Sequence, residues 1–346
     1  MFLFNIFVFL CYNIAMIKND TILEKLVNQW LADYFIFAPQ KTVDGLKITE
    51  VKDYEKIDWS GKMPDDPWKR FFLPAREKLF DINKKTGELK ETIGQQPKVM
   101  CLGMNVLDLK ALMLFDLVFA NDVYYLNRRE NTIVIGYSAD WPAEYKKLKV
   151  FSYNFEEDVL EHLHFDIFIA GIKGKKIIFY SGSSAGRKLL EGAGINDFKN
   201  IKFAGAIAEE GPDQRMLKIK EKFEQSADHS LWDQLNKICI ACGKCSIACP
   251  TCFCFDLEDK MNPENSRRDR VWGNCFYNDF SLVAGGHKEL DSVKSKIYFW
   301  YLHKFLRIPE EYKFPGCVSC GRCTKVCPVG IDIAKNIAQL MKIRKK

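Results

Sequence analysis

Cys239-Ile-Ala-Cys242-Gly-Lys-Cys245-Ser-Ile-Ala-Cys249-Pro250 and Cys317-Val-Ser-Cys320-Gly-Arg-Cys323-Thr-Lys-Val-Cys327-Pro328 repeat one spacing, C-x2-C-x2-C-x3-C-P. Three thiolates at successive two-residue steps suit the corners of an iron-sulfur cubane. The fourth, turned away by the proline, ligates the other cluster of a pair. The spacing therefore predicts two [4Fe-4S] clusters. One is assigned to Cys239, Cys242, Cys245 and Cys327, the other to Cys317, Cys320, Cys323 and Cys249. Gly243 and Gly321 fall where backbone must pass close to a cluster. Zinc sites usually separate paired ligands by a longer loop and often use histidine, so they fit this run poorly.

Between the two runs lie 67 residues, more than a minimal two-cluster ferredoxin needs. Their latter part, from Asp291 to Leu306, reads as helix, which implies the α-helical variety of ferredoxin domain. Cys252, Cys254 and Cys275 remain outside the runs. They are candidates for extra metal ligands, for tuning a neighbouring cluster through weak S–H hydrogen bonds, or for filling space as small buried hydrophobes. His287, in Gly285-Gly286-His287, is a further candidate for tuning a cluster or coupling a proton, set against an incidental turn histidine. Arg267, Arg268, Arg270 and Trp272 could face an anionic ligand or partner, or form an ordinary solvated face.

The remaining composition sets bounds. The 346 residues are enough for two domains, and 47% hydrophobic with 28% charged residues describes a globular interior and surface. Eight of the 13 cysteines sit in two tight runs, unlike a secreted disulfide framework, so a cytoplasmic setting is expected. Residues 231–346 hold 19 Lys and Arg against 12 Asp and Glu, whereas residues 1–230 hold 32 against 33. The excess positive charge thus lies beside the cysteines, where it offsets cluster charge. A nucleic-acid partner is the less economical explanation of that charge.

The first 17 residues are uncharged. They fall short of the roughly 20 that span a bilayer and lack the basic start of a signal peptide. Met16 is expected to be the true start, and no membrane association is expected unless residues 1–17 are translated. Residues 18–228 read as an α+β or α/β scaffold or docking domain. A capped helix opens at Asp20, with Ile22, Leu26, Trp30 and Leu31 at helical spacing. An apolar strand from Lys98 to Met104, a helix from Asp108 to Asp116 apolar nearly all the way round and a strand from Thr132 to Gly136 form a β-α-β order, which predicts at least part of a parallel sheet. Further strands are predicted over Phe165–Ile172 and Lys176–Tyr180, turned at Lys173-Gly174-Lys175. Ser181-Gly-Ser-Ser-Ala-Gly186 precedes a helix and reads as a capped turn rather than a phosphate loop, because it lacks the glycine spacing. Residues 229–346 form the expected α-helical two-cluster ferredoxin domain.

These pieces together resemble the family of sulfhydrogenase beta subunits, to which the corresponding electron-transfer component of anaerobic sulfite reductase is related. The resemblance rests on Trp68-Lys-Arg-Phe-Phe-Leu-Pro74, Asp108-Leu-Lys-Ala-Leu112, the segment from Asp122 to Thr132, Cys249-Pro-Thr-Cys-Phe-Cys254, Arg268-Asp-Arg-Val-Trp272 with Cys275, and Ala284-Gly-Gly-His287. It implies a protein that relays electrons between a flavoprotein handling NAD(P)H and a catalytic partner, a hydrogenase or a sulfite reductase. One departure stands out. The family pattern G-x-R-P-C-D is replaced by Gly103-Met-Asn-Val-Leu-Asp108, and the cysteines after the next strand are replaced by Gly136-Tyr-Ser-Ala-Asp-Trp-Pro142. Any cluster bound there in the family is not expected in this chain.

The leading expectation is a non-catalytic electron-transfer subunit of a redox complex, supported by two cluster motifs and the lack of any nucleotide fingerprint. A stand-alone iron-sulfur oxidoreductase acting on a sulfur compound or disulfide is the alternative from another class. A nucleic-acid-binding iron-sulfur protein is a third, testable by the salt dependence of retention.

Overall fold

β-branched and aromatic runs pair where the sequence alternates or stays apolar, and the sheets they form divide the chain differently from the sequence reading. The computed structural model describes residues 21–91, 93, 96–141, 158–171, 177–206, 214–261 and 265–342. The apolar segment 1–17 with Met16, and the turn predicted at Lys173-Gly174-Lys175, lie outside those residues. Two compact units are built from interleaved stretches. The first comprises Met1–Trp68, Gln96–Lys110 and Glu130–Ala208, the second Lys69–Gln95, Ala111–Arg129 and Glu209–Lys346. Among the described residues no helix is long and apolar enough to cross a membrane.

The first unit is organised on a seven-stranded sheet. Its strands are β1 (Phe35–Thr42), β2 (Gly45–Glu50), β5 (Val99–Met104), β6 (Thr132–Ser138), β7 (Ile167–Ala170), β8 (Ile178–Ser181) and β9 (Phe198–Asn200), in the order β2-β1-β5-β6-β7-β8-β9. Strands β1, β5, β6 and β7 run parallel, while β2 and β8 are antiparallel to their inner neighbours. The near-continuous apolar character of β5 to β7 is that of parallel strands covered on both faces. The helix at residues 21–30 packs Leu23, Leu26, Val27 and Trp30 into the core with Ile36, Met100, Ile135 and Ile169. The β1–β2 hairpin was hidden in a stretch without clear periodicity.

Two local sequences in this unit find plain structural roles. Asn105 caps the helix Val106–Val118, its Oδ1 accepting from Leu107 N at 2.9 Å and Asp108 N at 3.0 Å, while its Nδ2 donates to Asp108 Oδ2 at 2.6 Å. Leu107, in the same helix, is buried. The Ser- and Gly-rich turn is capped by Ser183, whose Oγ accepts from Gly186 N at 2.9 Å and donates to Asp166 Oδ1 at 2.5 Å. A Cβ on Gly186 would lie 1.8 Å from the Asp166 carbonyl oxygen, so its glycine serves close backbone packing.

The second unit corrects the boundary expected at residue 228. It joins β3 (Arg76–Asn83) and β4 (Leu89–Glu91) to β10 (Phe255–Met261) and β11 (Asn265–Trp272) in a sheet ordered β10-β11-β3-β4. Strand β11 pairs antiparallel with β3, Arg270 opposite Glu77 and Val271 opposite Arg76. Pairing at such sequence separation leaves no mark in local composition, which explains the misplaced boundary. The arginines of β11 are each paired with carboxylates within the unit. Arg267 chelates Asp269 with two contacts of 2.7 Å, Arg268 does the same to Asp259, and Arg270 lies between Glu77 and Asp122. Trp272 Nε1 donates to Leu73 O at 2.8 Å.

Helices Gln214–Glu224, Leu231–Ile238 and Val293–Leu302 supply much of this unit's core, with Phe223, Trp232, Leu235, Ile297, Trp300 and Tyr301 in one cluster. Val293–Leu302 begins in a capping box between Ser292 and Ser295. It continues into a π-helical turn, His303–Arg307, before Ile308–Tyr312.

Candidate functional site

The two cysteine runs fold alike. Each ends in a single helical turn, Lys244–Ile247 and Arg322–Lys325, entered through a glycine in the left-handed region, Gly243 at φ 72° and Gly321 at φ 76°. Ala241 and Ser319, which precede the second cysteine of each run, are also left-handed at φ 53° and 56°. Non-glycine residues seldom hold that conformation unless the surroundings enforce it. Here it accompanies a bond from the Ala241 backbone N–H to Cys239 Sγ and one from Ser319 to Cys317 Sγ, both 3.4 Å. Such donors stabilise a thiolate and orient it.

The runs also reach each other. One cavity is lined by Cys239, Cys242 and Cys245 of the first run together with Cys323 and Cys327 of the second. Burial raises the Cys239 thiol, and the neighbouring Cys327 and Cys242 add to the effect. Burial pushes Cys323 up to about 12, with Cys249, Cys317 and Cys320 acting on it in the same direction. Cys317, raised by burial, has Cys249 beside it as well. Cys327 thus shares a cavity with the leading cysteines of the first run, while Cys249 acts on Cys317 and Cys323 of the second run and on Cys245 of its own. Cys245, pushed up to about 12 by burial, has both Cys323 and Cys239 near it, so the two groups adjoin.

The cavity suits a bulky thiolate-bound group. Its remaining wall includes Phe276, Ile297, Trp300 and Tyr301. The buried indole Nε1–H of Trp300 finds no hydrogen-bond partner among the described residues, an orphaned donor that a cluster sulfur would satisfy. Among the described residues, no three His, Cys, Asp or Glu side chains converge closely enough to hold a single metal ion. Five thiols lining one apolar cavity fit a thiolate-bound iron-sulfur cluster.

The other candidates are distributed unequally. Cys252 is hydrogen-bonded to Cys249, and half-buried Cys254 and buried Cys275 are close by, their thiols raised chiefly by burial. His287 is exposed on its turn and lies 3.3 Å from Glu289; Gly285 and Gly286 take positive φ there. Sequence reasoning missed two buried lysines. Lys69 Nζ donates to Ser246 O at 3.3 Å and Cys252 O at 3.1 Å and lies 4.5 Å from the Trp272 ring centroid. Lys304 Nζ donates to Cys249 Sγ at 3.1 Å. The available signal for Lys304 was its place among Trp300, Tyr301 and Phe305 on a helix apolar nearly all round.

Residues 238–331 match the family model described as a 4Fe-4S dicluster domain. The chain is 24% identical over 343 residues to the sulfhydrogenase 2 subunit beta of Pyrococcus furiosus, an alignment covering 90% of this chain and 96% of that one. Both findings support the resemblance drawn from the motifs, and they make this an iron-sulfur protein of the electron-transfer type. No solved structure matches the chain.

Proposed function

We propose that the chain is a non-catalytic electron-transfer subunit carrying two [4Fe-4S] clusters, one held by Cys239, Cys242, Cys245 and Cys327, the other by Cys317, Cys320, Cys323 and Cys249. The observation that supports this reading is that Cys327 lines one cavity with Cys239, Cys242 and Cys245, while Cys249 acts electrostatically on Cys317 and Cys323. When bound, each cluster takes up and releases one electron at a potential set by its net charge, hydrogen bonds and exposure.

The residues of the chain divide the remaining work. The eight cysteines supply ligands, the backbone N–H groups of Ala241, Ser319 and Ile331 donate to ligand sulfurs, and Phe276, Ile297, Trp300 and Tyr301 keep water from one side of the cavity. The seven-stranded unit serves as a docking scaffold, a role consistent with core residues such as Leu107 standing where thiols are expected. The partners are a flavoprotein on the NAD(P)H side and a hydrogenase- or sulfite-reductase-type catalytic subunit. The similarity to a sulfhydrogenase beta subunit over almost its whole length supports that setting.

Anaerobic reconstitution tests the reading. About eight irons per chain with the spectra of two [4Fe-4S] centres are expected. Stoichiometric zinc, or about four or about twelve irons, would refute it.

A further inference from the structure

The two fourth cysteines, equivalent in sequence, occupy unlike surroundings. Cys249 is buried, 8% exposed, and followed by Pro250 and Thr251; Cys327 is only partly buried and followed by the exposed Pro328 and Val329. Cys327 Sγ accepts from the backbone N–H of Ile331 at 3.3 Å, a neutral donor. Cys249 Sγ instead meets the side-chain Nζ of Lys304 at 3.1 Å and the Thr251 hydroxyl at 3.1 Å.

Lys304 is built into this position rather than swung there from the surface. It is 2% exposed, and its Nζ also donates to Thr251 Oγ1 at 3.1 Å and Gly316 O at 3.2 Å, while Thr251 Oγ1 donates to the same carbonyl at 2.8 Å. Three acceptors therefore use the three ammonium protons. The π-helical turn His303–Arg307 carries it, a backbone irregularity that recurs at functional sites. Gly316 lies so close to this turn that a Cβ would stand 2.4 Å from Lys304 O, which ties the loop entering the second run to the lysine backbone. Lys69 adds a second buried ammonium on the same side, bonded to the carbonyls of Ser246 and Cys252.

A fixed positive charge in a medium of low dielectric favours the more negative of two redox states. Hydrogen bonds to ligand sulfur act in the same direction. From this asymmetry, and resting on the two-cluster reading above, we infer that Lys304 sets the two centres apart in potential. Its ammonium on Cys249 makes the centre of Cys249, Cys317, Cys320 and Cys323 the more easily reduced. Lys304 acts through a ligand and is a positioning and tuning residue. Electrons entering the chain come to rest on that centre first.

The test uses the full chain, reconstituted anaerobically with iron and sulfide. Iron is counted first, and both centres are then titrated with reductant under EPR. Lys304→Met and Lys304→Gln are expected to retain about eight irons and to move one centre to more negative potential. The moved centre should be the one perturbed by Cys320→Ser and not by Cys242→Ser. Lys294→Gln, which alters an exposed lysine paired with Asp233, should move neither. Should the Met variant lose a cluster, the Gln variant, which keeps hydrogen-bonding capacity without charge, carries the comparison. Unshifted centres, equal shifts in both, or a shift confined to the centre of Cys242 would overturn the inference. Loss of about four irons from both variants would overturn it in favour of a structural role. A wild-type chain that takes up no iron refutes the two-cluster reading itself, whatever Lys304 does.

Discussion

Asn274 Nδ2 donates to the carbonyl oxygen of Gly243 at 2.9 Å, linking the residue before Cys275 to the glycine that turns the first cysteine run. The same Nδ2 lies 2.3 Å from where a Gly243 Cβ would be, whereas a Cβ on Gly321 would meet nothing within 4 Å. Both glycines are left-handed, so alanine at either costs about 1–2 kcal/mol. Gly243→Ala must also displace Asn274. It is expected to lose more thermal stability and more bound iron than Gly321→Ala. Equal losses in both variants would show that the Asn274 contact does not constrain the turn.

The proposed exchange of the fourth cysteines predicts a pattern in double variants. Cys249→Ser with Cys320→Ser strikes one centre twice and should spare about four irons. Cys249→Ser with Cys242→Ser strikes both and should leave little bound iron. If the second pair spared as much as the first, Cys249 would belong with the cysteines of its own run. Iron and sulfide analysis of the purified chains decides between these.

Arg270 is 4% exposed at its side chain and bonds Glu77 Oε2 through Nε at 3.0 Å and Nη2 at 2.5 Å, with Asp122 as its further partner. Arg128 also pairs with Glu77. Removing one partner of such a buried group strands the others. Arg270→Met is expected to cost about 3–5 kcal/mol in chemical denaturation. A loss below about 1 kcal/mol would put the network in the class of weak surface pairs.

His303 packs between Phe253 and Phe299, at ring separations of 5.4 and 6.0 Å. Burial, helped by Lys304 and Arg307, lowers its pKa from 6.5 to about 4. The unfolded chain therefore binds the proton more readily than the folded one between those values. This contribution to stability is complete above pH 6.5 and declines as the pH falls toward 4, by at most about 3 kcal/mol. Urea denaturation from pH 7 to 5 should show a steeper loss in the wild type than in His303→Phe. Parallel slopes would sink the prediction.

Much of the first unit could be read from the chain because its signals are local. Strands β5 and β6 are largely apolar runs, the helix Val106–Val118 after β5 is apolar nearly all round, and the helix Ser184–Gly192 begins where Ser183 announces a cap. Strands β1, β2, β3, β4, β9, β10 and β11 escaped notice. Strand β10 is exposed throughout and β11 is largely polar and arginine-rich, so neither has the period-two alternation that marks a half-buried strand. Their pairing depends on partners far along the chain.

The sequence by itself determined the chemistry of the cysteine runs. Eight thiols at a repeated spacing, each run closed by proline, specify what kind of group they hold, because ligand spacing within a run is a local property. Tertiary structure decided what surrounds each thiol. The pairing of β11 with β3 moved the unit boundary, bringing residues 69–95 and 111–129 into the unit of the cysteines. Folding likewise placed Lys304, 55 residues from Cys249, at 3.1 Å from its sulfur. Two runs that are equal as sequences thereby become unequal sites, since charge and solvent exposure are set by neighbours in space.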